Sequence, residues 1–226
     1  MAKAALCRNK SLEEKIEEAR KLIRITISKE GPHAVIFSGS PASTVMLHMI
    51  REVGGEKAGV MIFHVDLLKN HVALYQYVGK IEKLWGLEII RETNEYLVDQ
   101  EQVKEDWDEF YYRSTQKARN RMAEMCKVTH LLVPECDKRK SDKVQQIVIS
   151  GHYRLFEVRP LLGFVSEEIR HAIKINNLPI CPIFESTLRG GEELCGRHEE
   201  LRAASPSETE IEEKEMASKL KSLGYL

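Results

Sequence analysis

No stretch of this 226-residue chain is apolar for long enough to cross a bilayer, and its N-terminus lacks the unbroken apolar segment of a secretory signal. A cytoplasmic protein without membrane attachment is expected. Net charge is nearly absent: 34 Lys and Arg against 35 Asp and Glu leave a formal −1, so no global field drives the chain onto nucleic acid or a membrane surface. The five cysteines, Cys7, Cys126, Cys136, Cys181 and Cys195, are odd in number and widely spaced, with no C-x-x-C and no adjacent pair. That spacing spells neither a zinc finger nor an iron–sulfur ligand set, so no metal and no cluster is expected, and most of these thiols read as small buried apolar groups. A Walker lysine and G-x-G-x-x-G spacing are missing as well.

What is present is the composition of a globular protein, 42% hydrophobic and 31% charged, in a length that suits one large domain or one domain with an appendage. The chain is organised around His33 to His48. An apolar run, Ala34 to Phe37, has the length of a parallel strand covered on both faces, and a turn of small hydroxylated residues follows it into a helix beginning near Ala42. Gly39 allows close backbone approach, Ser38, Ser40 and Ser43 offer hydroxyls, and the helix N-terminus turns its amides and positive dipole end to the same place. Such a turn can hold a phosphate, or it can be an ordinary helix cap built from serine.

Along the chain, Ser11 and Glu14 form a capping box before a helix whose apolar face is Leu12, Ile16, Ala19 and Ile23. Helices follow over Thr44–Val53, Asn70–Trp85 and Ser114–Cys126, and strands over residues 59–66, 86–90, 130–134, 144–149 and 155–158. Glu92 to Tyr112 reads as a long loop with helical turns. Ser166 is expected to cap a helix through Ile175, and Ser205, Pro206 and Glu208 sign a last helix ending at Gly224. Alternation of strands and helices predicts an α/β fold with a doubly wound, mainly parallel, Rossmann-like sheet and helices on both faces. Its main domain would span 1–184 and a loop-and-helix appendage 185–226. The second strand ends on Asp66, which a parallel sheet would place at the ligand crevice near the serine turn, or which caps the next helix. His33, His48 and His64 lie beside or within apolar runs and read as core or cap residues.

The order of these pieces resembles the PP-loop superfamily of adenine-nucleotide α-hydrolases, closest to phosphoadenosine phosphosulfate (PAPS) reductase. The resemblance rests on Ser38-Gly39-Ser40-Pro41-Ala42-Ser43, Val65-Asp66, Lys138-Arg139-Lys140-Ser141, Arg159-Pro160-Leu161-Leu162-Gly163-Phe164 and Asn177 to Phe184. It covers roughly Leu12 to His198. Ser40 replaces the second glycine of the loop and Ala42 its acidic residue, the carboxylate that organises magnesium and ATP in the pyrophosphatase branches. Sulfonucleotide reductases are similar in lacking that acid. Leu67 to Val72 replaces the usual motif after the second strand, and Pro134-Glu135 stands near the glycine that opens the basic loop.

The resemblance implies binding of an adenine nucleotide (PAPS, adenosine bisphosphate or ATP) by Ser38, Gly39, Ser40, Ser43 and Asp66, with Lys138, Arg139, Lys140 and Arg197 neutralising the polyanion. It also implies a nucleophile. In Glu193-Leu194-Cys195-Gly196-Arg197-His198, a thiolate at Cys195 would attack the sulfonyl sulfur and expel the nucleotide, with Arg197 and protonated His198 lowering the thiol pKa. A thioredoxin-like protein would then free the thiol. By its residues alone Cys195 is equally a structural cysteine, and the chain equally a nucleotide-binding sensor or assembly subunit, or an adenylating enzyme that needs Mg. A homodimer stays open.

Overall fold

The computed structural model describes residues 10–55, 59–66, 72–93, 107–136, 142–150 and 153–185. All of them lie in the first of two compact units, 1–196; the second, 197–226, with the expected final helix and all of the appendage after Glu185, is outside the described residues. In chain order the elements are α1 (Leu12–Ile27), β1 (His33–Ile36), α2 (Pro41–Gly54), β2 (Val60–Asp66), α3 (Val72–Trp85), β3 (Ile89–Thr93), α4 (Trp107–Met125), β4 (His130–Leu132), β5 (Val144–Ser150), β6 (Tyr153–Val158), α5 (Ser166–Ile175) and a 3₁₀ turn at Pro182–Phe184.

Local sequence accounts for most of these boundaries. Ser11 caps α1: its hydroxyl accepts from the Glu14 amide at 3.2 Å, while the Glu14 carboxylate accepts from the Ser11 amide at 2.8 Å. Two expectations are corrected. The aromatic stretch expected as loop is helical from Trp107 onward, because α4 must return the chain from β3 to β4 across the sheet, and tertiary packing overrides weak periodicity. Ser166 is the first helical residue of α5 rather than its cap; the cap position is Val165, whose amide donates to the Glu168 carboxylate at 2.9 Å.

The six strands form one sheet in the order β3-β2-β1-β4-β6-β5, parallel throughout except for β5, which runs antiparallel to β6. From β1 the chain winds outward through β2 to β3, then α4 carries it back to β4 on the other side of β1. Right-handed crossovers put α2 and α3 on one face and α4 on the opposite one. Burial alternates accordingly. Val35, Phe37, Ile62 and Leu132 join Ala19, Ile23, Met46, Leu47, Ile81 and Ile169 in one core shared by α1, α2, α3 and α5. Ala34, Phe63, Leu131 and Leu155 are buried outside that cluster, as are Ala118, Met122 and Ala123 of α4. Because the winding direction reverses between β1 and β4, the crevice of the sheet opens at the carboxyl end of β1, where the serine turn leaves it.

Candidate nucleotide cradle

The turn after β1 is held from beneath before it is free to present anything. Phe37 still pairs with β2, its amide donating to Phe63 O at 2.8 Å, while His64 Nδ1 donates to Phe37 O at 2.8 Å. Beyond this point Gly39 bends at φ +80°, and a Cβ built on it would lie 2.3 Å from Leu74 Cδ1 on α3. The positive φ favours glycine here, and any Cβ would require the tip of the Leu74 side chain to shift. Ser40 is the N-cap of α2, with Pro41 in the first helical position and the Ser43 amide donating to Ser40 Oγ at 3.3 Å.

The hydroxyls of the turn are bound mainly to one another. Ser38 Oγ donates to Ser40 Oγ at 3.0 Å and accepts weakly from the Ser40 amide at 3.4 Å. Ser43 and Thr44, both fully buried, donate back to the Ser40 carbonyl at 2.8 and 3.1 Å. So Ser43 builds the turn, whereas Ser38 is exposed and Ser40 half-buried, and these two hydroxyls can turn toward an anion in front of the helix. No acidic residue stands in the first turn of α2, and Ala42 is buried. The field at the helix start is therefore that of the backbone dipole.

A second layer fixes the cradle. Thr44 Oγ1 lies 2.9 Å from the Tyr77 hydroxyl, which donates to the Pro179 carbonyl at 2.9 Å and so ties α2 to α3 and to the Leu178–Phe184 segment. Burial raises the Tyr77 pKa far above its ordinary value, so this phenol stays a donor. Cys181 sits beside it against the Ala73 carbonyl, its thiol pushed up to about 11 by burial. Cys136 is also buried and Cys126 half-buried. Burial makes Cys181 a poor nucleophile.

Across β4, the same carboxyl edge carries a chain of alternating charge. Arg119 of α4 pairs with Glu157 of β6 at 2.7 Å, Glu157 pairs with Arg159, and Arg159 Nε pairs with Glu135 at 2.8 Å. They border a polar cleft of about 440 Å³ that Gln116 and Gln145 also line. Arg119 is committed to a buried partner.

Of the residues the sequence singles out, Ser38, Gly39, Ser40 and Ser43 converge at the turn, and Asp66 closes β2 at the same edge, beyond the Ile36–Phe63 pairing. Lys138, Arg139, Lys140, Cys195, Arg197 and His198 lie outside the described residues. His64, Tyr77 and Thr44 were missed as cradle supports. A threonine four residues after the cap residue was the available signal for Thr44; nothing local signals the other two. Among the described residues, no group of three or more His, Cys, Asp or Glu converges to hold a metal ion, and no helix is long and apolar enough to cross a membrane.

A doubly wound sheet with a small-residue turn feeding a helix at its reversal point defines a PP-loop type of α/β protein. Residues 32–195 match the model of the phosphoadenosine phosphosulfate reductase domain, and the chain belongs to that family. Phosphoadenylyl-sulfate (PAPS) reductase from Candida auris, solved as a phosphate complex, superposes with TM-score 0.61 at 13% identity, over 83% of this chain and 94% of that one. FMN adenylyltransferase from Candida glabrata in complex with ATP gives 0.56 at 14% identity, over 76% of this chain and 58% of that one. The U34-tRNA thiolase NcsA from Methanococcus maripaludis, with its [4Fe-4S] cluster, gives 0.53 at 15%, over 78% and 71%. No curated protein matches the sequence.

Proposed function

We propose that the chain binds an adenine nucleotide at the Ser38–Ser43 turn and reduces a sulfonucleotide through Cys195. The observation that carries this reading is the first turn of α2, where a capped helix start with buried Ala42 presents a positive dipole and no carboxylate. A turn that grips ATP through magnesium needs an anchoring acid nearby, whereas one that binds a phosphosulfate directly needs only hydroxyls, amides and cations. Ser38 and Ser40 supply the hydroxyls, and Lys138, Arg139 and Lys140, on the segment after β4, supply the charge.

In this mechanism the Cys195 thiolate attacks the sulfur of the sulfonate group. The bond from sulfur to the bridging phosphate oxygen breaks, adenosine bisphosphate leaves, and the sulfonate stays on the cysteine as a thiosulfonate. One thiolate of a thioredoxin-like dithiol then attacks Cys195 Sγ and sulfite leaves with the electron pair of the sulfur–sulfur bond. The second thiol closes a disulfide in the reductant and returns Cys195, so the two electrons that convert sulfate to sulfite come from the dithiol. Arg197 and protonated His198 favour the thiolate and the sulfonate oxygens.

A second reading, nucleotide binding without catalysis, draws on the turn's self-satisfied hydroxyls and the close packing of Leu74 on Gly39. One experiment separates them. Adenosine bisphosphate, PAPS and ATP with magnesium are titrated against wild type and Ser40→Ala, and sulfite release with a dithiol reductant is followed in wild type and Cys195→Ser. Binding weakened in Ser40→Ala together with sulfite release lost in Cys195→Ser supports the reductase. Binding without Cys195-dependent sulfite supports the second reading, and pyrophosphate release from ATP would move the chain to the adenylating enzymes.

A further inference from the structure

β5 ends the sheet, and among the described strands β6 is its one neighbour. Half of the amides and carbonyls on such an edge have no partner in the sheet, and natural edges are commonly guarded by lysine, proline or a very short strand. β5 carries none of these guards. Its seven residues, Val-Gln-Gln-Ile-Val-Ile-Ser, include no charge and no proline, and Val144 and Val148 are 41% and 59% exposed, beside Phe156 of β6 at 37%. The ladder with β6 is regular from Val144 to Val148 and shifts only between Val148 and Ser150.

Which groups point outward follows from the pairing with β6. Val144 stands opposite Val158 and Gln145 opposite Glu157, and the Arg159 amide donates to the Lys143 carbonyl at 2.8 Å. Bonded positions alternate in an antiparallel pair, so residues 143, 145 and 147 turn their backbone groups to β6, while Val144, Gln146 and Val148 turn theirs to the open edge. The same three residues share one face of the strand. We propose that β5 pairs antiparallel with β5 of a second copy of this chain, about a two-fold axis at Gln146, so that the two sheets join into one. This register sets Gln146 against Gln146 and the exposed Val144 of each copy against the exposed Val148 of the other, with two backbone hydrogen bonds for each pair. Lys143 falls opposite Ile149, so no like charges meet along the strand. Moving the axis to Gln145 would put Val148 against Asp142, and moving it to Ile147 would carry Val144 onto the irregularity at Ser150. A surface that matches itself in one register selects a second copy over an unrelated strand. The contact lies at the far edge of the sheet from β3 and does not depend on the nucleotide reading.

The test is sedimentation velocity of the full chain over about 1–200 µM, where a contact built on one strand should give a dimer with Kd on the order of 10 µM. Val148→Lys, at an exposed position, is expected to weaken the dimer about tenfold or more. Val144→Glu/Val148→Lys should recover it, because the axis places position 144 of one copy opposite position 148 of the other. Within one copy these positions are about 14 Å apart along the strand, so the rescue cannot arise there. Gln146→Cys should oxidise to a covalent dimer whose 146–146 bond is identified by peptide mapping, the two Cα atoms being about 5.5 Å apart, whereas Gln145→Cys should not. A protein that stays monomeric at every concentration overturns the proposal and leaves the edge to an extended segment of another protein. A dimer that keeps its affinity in Val148→Lys, that is not rescued by Val144→Glu, or that cross-links at position 145 in preference to 146 overturns it as well.

Discussion

Gly39→Ala adds one methyl group where the backbone sits at φ +80° and where the new carbon would stand 2.3 Å from Leu74 Cδ1. An alanine in the left-handed region costs about 1–2 kcal/mol, and forcing a methyl into a packed apolar contact costs about 1–3 kcal/mol more. Together these give about 2–5 kcal/mol, which for a chain of this size lowers the melting temperature by about 2–4 °C per kcal/mol. The two contributions separate in the Leu74→Ala background. There Cδ1 is gone, so Gly39→Ala should cost only its backbone share, about 1–2 kcal/mol. Urea denaturation of the four proteins of the cycle, followed by circular dichroism, gives each difference from the midpoints at constant slope. A Gly39→Ala protein within about 0.5 kcal/mol of wild type refutes the reasoning outright. An identical loss in both backgrounds refutes the contact with α3 and leaves only the backbone.

Three further outcomes follow from the buried polar groups. Glu157→Gln leaves the Arg119 and Arg159 guanidiniums facing a neutral amide inside the sheet and should destabilise by about 3–5 kcal/mol, read from the denaturation midpoint, while Gln145→Ala beside the cleft should stay near wild type. Tyr77→Phe deprives the Pro179 carbonyl of its donor and should cost about 1–3 kcal/mol, with Thr44→Val in the same protein adding less than its separate effect. His33 and His130 stack at 5.3 Å with both Nε2 atoms buried and unpartnered, and burial, with Lys29 nearby, holds both pKa values below the ordinary 6.5. Since the unfolded chain then binds the extra protons, the stability these neutral rings confer is complete above that ordinary value and is lost as pH falls below it toward the folded pKa values. Melting curves from pH 8 to pH 5 should show this decline, and His130→Phe, which keeps a ring against Phe156, should flatten it.

Much of the fold was legible because it is written in short-range signals. The Ser11–Glu14 box, the apolar runs at Val35 and Ile62, and the small hydroxylated turn before the helix near Ala42 are each local signals, and each element they predict is present. Trp107 to Tyr112 was not legible as helix because the long return across the sheet, rather than any local period, sets that segment's conformation. In the cradle, the serines announced a turn through their chemistry, but which hydroxyls face outward depends on Leu74 and Tyr77 of α3 and on His64 of β2. Arg159 stood out only as part of a short motif. Its partners, Glu135, Asp142 and Glu157, come from three separate parts of the chain and meet only once β4 and β6 are paired.

The position of β1 has a consequence for how the chain is made. His33 faces Val60 on one side and His130 on the other, so the second hydrogen-bonding edge of this strand is filled only by residues synthesised long after the first. Until then Ala34-Val35-Ile36, uncharged and free of proline, is an open template for any other extended segment. Among the described strands, only β5 and β6 pair antiparallel as close neighbours in sequence, so most of the sheet waits on long-range closure. A nascent chain stopped before β4 would carry the serine turn on a strand with one bare edge, and shortened versions of this protein should precipitate.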